Sequence, residues 1–149
     1  MKKILLLPLC FSLIINSQSF VPNSPELDLK SYILVEPNTN TIIAEFNSDS
    51  QIEPASMTKI MTSYILADQI ANDLVSLDDQ VLISEKAWRM EGSKMFIEAG
   101  KKVSISDLLK GIIIQSGNDA SVAIAEYAGG TESGFVDLMN SYAASLGMD

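Results

Sequence analysis

The chain has no histidine in its 149 residues. That absence excludes Ser-His-Asp and Cys-His catalysis within the chain, and zinc sites built on imidazole. Any nucleophile must find another base. Cysteine is almost as scarce. The one thiol, Cys10, lies inside an N-terminal apolar run, so disulfides and a catalytic cysteine are excluded in the mature chain as well. Positive charge is short: ten Lys and Arg stand against 19 Asp and Glu, a formal charge of −9. Such a chain has no electrostatic footprint for nucleic acid and no polybasic patch for anionic lipid. There is no internal repeat and no low-complexity tract. The composition, 47% hydrophobic and 19% charged, is that of a globular protein, and the length allows one modest domain.

Met1-Lys2-Lys3 is a short positive start, followed by an apolar run from Ile4 to Ile15 broken only by Pro8 and Ser12. Ser17-Gln18-Ser19 then supplies small residues where a leader peptidase reads. The pattern predicts a secretory signal peptide over 1–19, cut after Ser19. The run is shorter than the roughly 20 apolar residues of a membrane span, and Leu9 is too bulky for a lipoprotein signal at Cys10. Export places the expected substrate outside the cytoplasm. Removing Lys2 and Lys3 leaves eight cations against the 19 acids.

Residues 20–30 hold two prolines and read as a lead-in. Ser31–Val35 and Thr41–Phe46 predict two strands joined by the turn chemistry of Pro37-Asn38-Thr39-Asn40, hence a hairpin. A helix is expected to start near Ser56, with Pro54 just outside it. Ile60, Met61, Tyr64, Ile65 and 67–70 follow at helical spacing and predict a helix at the domain centre. Val81–Ile83 and Met95–Ile97 predict short strands. Ser104 with Asp107 resembles a capping box opening a helix through Ile112–Ile114. Gln115–Asn118 breaks that helix, a second runs over Asp119–Ala128 to Gly129-Gly130, and a last one covers about Glu132–Leu146. The glycine-rich stretch 129–134 follows a helix and lacks phosphate-loop spacing, so it reads as a helix-helix connection.

Two short stretches carry the candidate chemistry. In PASMTK, Ser56 stands three residues before Lys59, so the two share one helix face and their side chains can meet. The helix start adds partial positive charge and unpaired N–H groups. A lysine held out of water loses its proton more easily and can serve as general base to a serine. With no histidine, this is one of few ways to activate a hydroxyl. The pair alone is weak evidence: 19 serines and nine lysines supply about one S-x-x-K by chance, and serine is common at helix starts. Ser116-Gly117-Asn118 adds weight. It is the one S-x-N in the chain and interrupts an apolar stretch from Gly111 to Ala128, where polar groups are costly unless paired. The plainer reading, a helix-helix turn with Gly117 for the bend and Asn118 capping the next helix, is compatible with chemistry and does not exclude it.

S-x-x-K followed by S-x-N resembles the signature of penicillin-binding proteins and serine β-lactamases. The text around the motifs, SYILVEPNTNTIIAEFNSDSQIEPASMTKIMTSYIL and GSKMFIEAGKKVSISDLLKGIIIQSGNDASVAIAEYAGG, is similar to low-molecular-mass D-alanyl-D-alanine carboxypeptidases from about Ser31 to the end. The resemblance implies an α/β (α+β) transpeptidase-like fold, helices packed on an antiparallel sheet that includes the hairpin. It implies Ser56 as nucleophile, Lys59 as general base, Ser116 as proton relay to the leaving D-alanine, and Asn118 as a substrate-binding residue that also holds Lys59. The implied substrate is the peptidoglycan stem pentapeptide, with β-lactams as covalent inhibitors, at the periplasmic face of the bacterial cytoplasmic membrane. No cofactor and no metal are implied.

The family's third motif, K-T-G, does not occur in these residues. Residues 31–149 are therefore expected to be the N-terminal part of the catalytic domain, truncated before the K-T-G strand. The rest of the sheet, a second domain and a C-terminal amphipathic membrane helix would lie beyond it, and membrane association would come only through that segment. Residues 20–149 alone are expected not to react with a labelled penicillin. The rival readings are a β-lactamase or β-lactam sensor, separated by fast deacylation, and an inactive truncated peptidoglycan-binding module. An exported domain whose motifs arose by chance is the plainest.

Overall fold

Asn38 and Thr39 close a tight hairpin because the Glu36 carboxylate collects their donors. The computed structural model describes residues 25–148; the expected leader over 1–19 lies outside the described residues, as does the first part of the lead-in. The hairpin belongs to the first of two compact units, which divide between Ile52 and Glu53. Strands β1 (Tyr32–Glu36) and β2 (Thr41–Phe46) pair antiparallel, with an irregularity between Leu34 and Val35. At the turn, Asn38 Nδ2, the Thr39 N–H and Thr39 Oγ1 each donate to the Glu36 carboxylate at 2.7 Å. Tyr32 stacks on Phe46 at the open end, ring centroids 6.1 Å apart. Ile33, Leu34, Ile42 and Ile43 are all exposed, on both faces of the ribbon.

The second unit is mainly helical. A 3₁₀ turn at Ala55–Met57 leads into α1 (Thr58–Ala71). A two-stranded antiparallel sheet, β3 (Gln80–Leu82) with β4 (Lys102–Ser104), brackets the short helix α2 (Glu85–Arg89). Then follow α3 (Ile105–Gln115), α4 (Asn118–Gly129) and α5 (Glu132–Ser145). Side-chain caps start three of these helices: Ser84 Oγ accepts from Ala87, Ser104 Oγ from Asp107 and Thr131 Oγ1 from Gly134. The expected stop at Gly129-Gly130 holds, and 129–134 is a helix-helix connection.

The core forms around α4, whose Val122, Ala123, Ile124 and Ala125 are all buried. Leu66 of α1, Leu108 and Ile112 of α3, and Ile83 after β3 are among the residues that join it in the main cluster. Ile65 and Phe135 join Ala125 in a second, smaller cluster between α1, α4 and α5.

Three expectations are corrected. Helix α1 is not central: it buries only Thr62, Ile65 and Leu66, while Ile60 is 71% and Tyr64 50% exposed. The small side chains of α4 let its neighbours approach closely, and α4 takes the centre. Met95–Ile97 is not a strand. Its N–H groups go to the carboxylate of Asp119 instead of to a neighbouring strand, and Phe96 sits in the left-handed region at φ 64°. The partner of β3 is Lys102–Ser104. Asn118 does not cap α4 with its side chain; Gly117 occupies the cap position.

Candidate active site

The first motif lies at the entrance to α1. Pro54 accepts from the Met57 N–H at 3.0 Å, and Ala55 has a positive φ of 47°. Ser56 is exposed, in the middle of the 3₁₀ turn. No side chain caps this helix start; the Met57 N–H goes to Pro54 O and that of Thr58 to Ala55 O, and negative charge is favoured near such an end. One turn further, Lys59 is half-buried. Its Nζ donates to Asn118 Oδ1 at 2.8 Å, joining residues 59 positions apart. Among the described residues no hydrogen bond links Ser56 Oγ or Ser116 Oγ to Lys59. The lysine is tied to the second motif and not to the serine of its own.

The second motif is a sharp turn between α3 and α4. Helix α3 ends on Ser116, half-buried and left-handed at φ 53°, ψ 39°. The Ser116 N–H bonds Ile112 O at 2.9 Å and that of Gly117 bonds Gly111 O at 3.1 Å, so the last carbonyls of the helix are paired. Gly117 is buried. A Cβ there would come within 2.9 Å of Asp119 Oδ1 and 3.3 Å of Met95 N, so the turn closes only on glycine.

Asn118 is held from three sides. Its N–H donates to Ser93 O and its Nδ2 to Glu91 O, both at 2.7 Å, while Oδ1 receives Lys59. This amide orientation is the one that puts a donor against the carbonyl and an acceptor against the ammonium. The next residue, Asp119, is 1% exposed. Its Oδ1 accepts from Met95 N at 3.0 Å and Ala120 N at 2.8 Å, and its Oδ2 from Phe96 N at 2.9 Å and Ile97 N at 3.3 Å. Sequence reasoning did not single out Asp119 or the segment 91–97. The available signal was a carboxylate inside an otherwise apolar run, which must be paired to be buried.

A cavity of about 210 Å³ opens beside the Lys59–Asn118 bond. Thr62 and Ser121 give it polar walls, and Val122, Phe135 and Met139 line its apolar side. The four residues of the sequence analysis thus divide as follows. Lys59 and Asn118 are bonded; Ser56 sits one turn before Lys59; Ser116 begins the turn that presents Asn118. Among the described residues no cluster of metal-ligating side chains occurs, and no helix is long and apolar enough to cross a membrane.

Comparison with known proteins places this arrangement. The family model for D-alanyl-D-alanine carboxypeptidase, peptidase family S11, matches residues 18–149. The carboxypeptidase DacC of Escherichia coli K12 is 42% identical over 131 residues, covering 84% of this chain and 33% of that protein. DacF of Bacillus subtilis is 42% identical over 121 residues, 81% of this chain and 31% of its own length. Among solved structures, the carboxypeptidase DacD of Francisella tularensis superposes with a TM-score of 0.80 at 46% identity, over 86% of this chain and 31% of that one. Penicillin-binding protein 5 of Haemophilus influenzae gives 0.79 at 37% identity, over 85% and 38%. The chain therefore spans about a third of the length of the curated relatives it matches, and its mix of helices and antiparallel strands is part of the penicillin-binding transpeptidase-like fold. With two motifs joined by one hydrogen bond and a family match over nearly its whole length, the chain belongs to the D-alanyl-D-alanine carboxypeptidase family.

Proposed function

We propose that the chain supplies the nucleophile-bearing part of an exported serine-type D-Ala-D-Ala carboxypeptidase. The observation that carries this reading is the 2.8 Å bond between Lys59 Nζ and Asn118 Oδ1, which unites S-x-x-K and S-x-N. Ser56 Oγ attacks the carbonyl carbon of the penultimate D-alanine in a peptidoglycan stem pentapeptide, and Lys59 takes the hydroxyl proton. The Ser56 N–H, at an uncapped helix start, faces the developing oxyanion. Collapse of the tetrahedral intermediate breaks the C–N bond. Ser116 passes a proton to the departing D-alanine amine, and a water molecule then hydrolyses the Ser56 ester. Asn118 holds Lys59 and binds the substrate backbone.

β-Lactams enter the same path as substrate mimics and stop at the Ser56 ester. Residues 1–19 act as the export signal, 20–30 as a lead-in and 31–149 as part of the catalytic domain, at work in the periplasm. The test is D-alanine release from a pentapeptide by the complete catalytic domain, residues 31–149 together with the K-T-G strand. Wild type is expected to release D-alanine and Ser56→Ala is not; release at equal rates would remove Ser56 from the chemistry. Fast turnover of penicillin by wild type would favour a β-lactamase instead.

A further inference from the structure

We infer that Asp119 is a positioning residue for the Lys59–Asn118 pair, acting through the backbone of segment 91–97. This rests on the proposed role of Lys59 as base. Three successive N–H groups, those of Met95, Phe96 and Ile97, converge on one buried carboxylate. Phe96, with φ 64° and 83% exposed, adopts the left-handed conformation that such convergence needs. The result is a backbone nest, a concavity of N–H groups whose natural guest is an anion. Asp119 is that guest, and it also sits in the first turn of α4, where negative charge is favoured.

The consequence reaches Asn118. Segment 91–97 presents two carbonyls to it: Glu91 O takes Nδ2 and Ser93 O takes the N–H. With both donors engaged, Oδ1 is left to face Lys59. Ser93 Oγ in turn donates to Gln115 O, tying the segment to the end of α3 just before Ser116. Release of the nest frees Glu91 and Ser93, and Asn118 loses the contacts that set its amide orientation. An uncharged isostere cannot replace the carboxylate, because an amide turns a donor toward N–H groups.

The test is the second-order rate of acylation by a fluorescent penicillin, measured on the complete catalytic domain with its K-T-G strand. Asp119→Asn is expected to slow it roughly 30-fold or more, the scale of a misplacement of about an ångström. A loss that is merely structural multiplies with other defects. A positioning loss acts through Asn118, so Asp119→Asn in an Asn118→Ala background is expected to cost less than roughly threefold more. A second pair covers the case in which Asp119→Asn does not fold. Phe96→Gly keeps the positive φ and the N–H, whereas Phe96→Pro removes both, and each deletes the exposed ring. Phe96→Pro is expected to be acylated at least roughly tenfold more slowly than Phe96→Gly. Equal rates in that pair overturn the inference, as does an Asp119→Asn effect of the same size with and without Asn118. A wild-type complete catalytic domain that takes no label overturns both the proposed function and the inference that rests on it.

Discussion

The turn that carries Ser116 and Asn118 is buried and held from several directions, whereas the turn that carries Ser56 is exposed and tied down by little. In the first, Gly117 packs too closely for a Cβ, Asn118 makes three hydrogen bonds, and Asp119 makes four. In the second, backbone bonds from Met57 to Pro54 and from Thr58 to Ala55 close the 3₁₀ turn, and no side chain caps it. Ser56 is located by the seating of α1 through Thr62, Ile65 and Leu66, and by the reach of Lys59 to Asn118. The second motif is thus a rigid frame, and the first is docked against it. Substitutions in the frame lower stability and reactivity together; those beside Ser56 leave stability alone.

The largest break in that contrast is expected from Asp119→Ala. It strands N–H groups that nothing else in the segment accepts, and each buried unpaired donor costs about 1–3 kcal/mol. A total loss of about 3 kcal/mol or more is expected in urea unfolding at an unchanged slope. Next comes the far end of α4. A Cβ on Gly129 would lie 2.6 Å from Phe135 N and 2.7 Å from its Cα, backbone atoms that cannot step aside. Gly129→Ala should therefore cost about 1–3 kcal/mol, as overpacking does, and a neutral effect would show the α4–α5 corner to be slack.

Near the first motif the effect should vanish. Met57 is 59% exposed, and Met57→Ala is expected to change stability by less than about 0.5 kcal/mol; a larger loss would mean that the Ser56 turn is held as firmly as its counterpart.

The smallest effect is local and belongs to the hairpin. The Thr39 hydroxyl, with the backbone N–H groups at 38–39 and the Asn38 amide, holds the Glu36 carboxyl at about 2, below its ordinary 4.5. Because the folded value is the lower one, the turn's stabilisation is complete above pH 4.5 and is lost as pH falls from there through about 2. Carboxyl ¹³C NMR should give Glu36 a midpoint near 2 in wild type and nearer 4.5 in Thr39→Ala. Identical midpoints would deny the turn its role.

Much of the helical frame was legible because its signals are local. The hairpin turn, the Ser104–Asp107 cap, the break at Ser116–Gly117 and the stop at Gly129-Gly130 each announce themselves within a few residues. What was not legible depends on partners far along the chain. Met95–Ile97 has the apolar run of a strand, but its N–H groups are claimed by a carboxylate 22 to 24 residues on. Lys102–Ser104 opens with a lysine and lasts three residues, too short to show alternation. Helix α1 reads as apolar on most sides, yet burial was settled by the smaller side chains of α4. At the site, spacing alone put Ser56 with Lys59. The bond from Lys59 to Asn118 had been expected from family resemblance only.

One experiment tests most directly whether Ser56 is the reacting hydroxyl. The protein with its complete catalytic domain, K-T-G strand included, is treated with a labelled penicillin, digested with trypsin and mapped by mass spectrometry. The label is expected on Ser56, in the peptide that ends at Lys59, and it should vanish in Ser56→Ala. A label on any other residue, or equal labelling of Ser56→Ala, would contradict it.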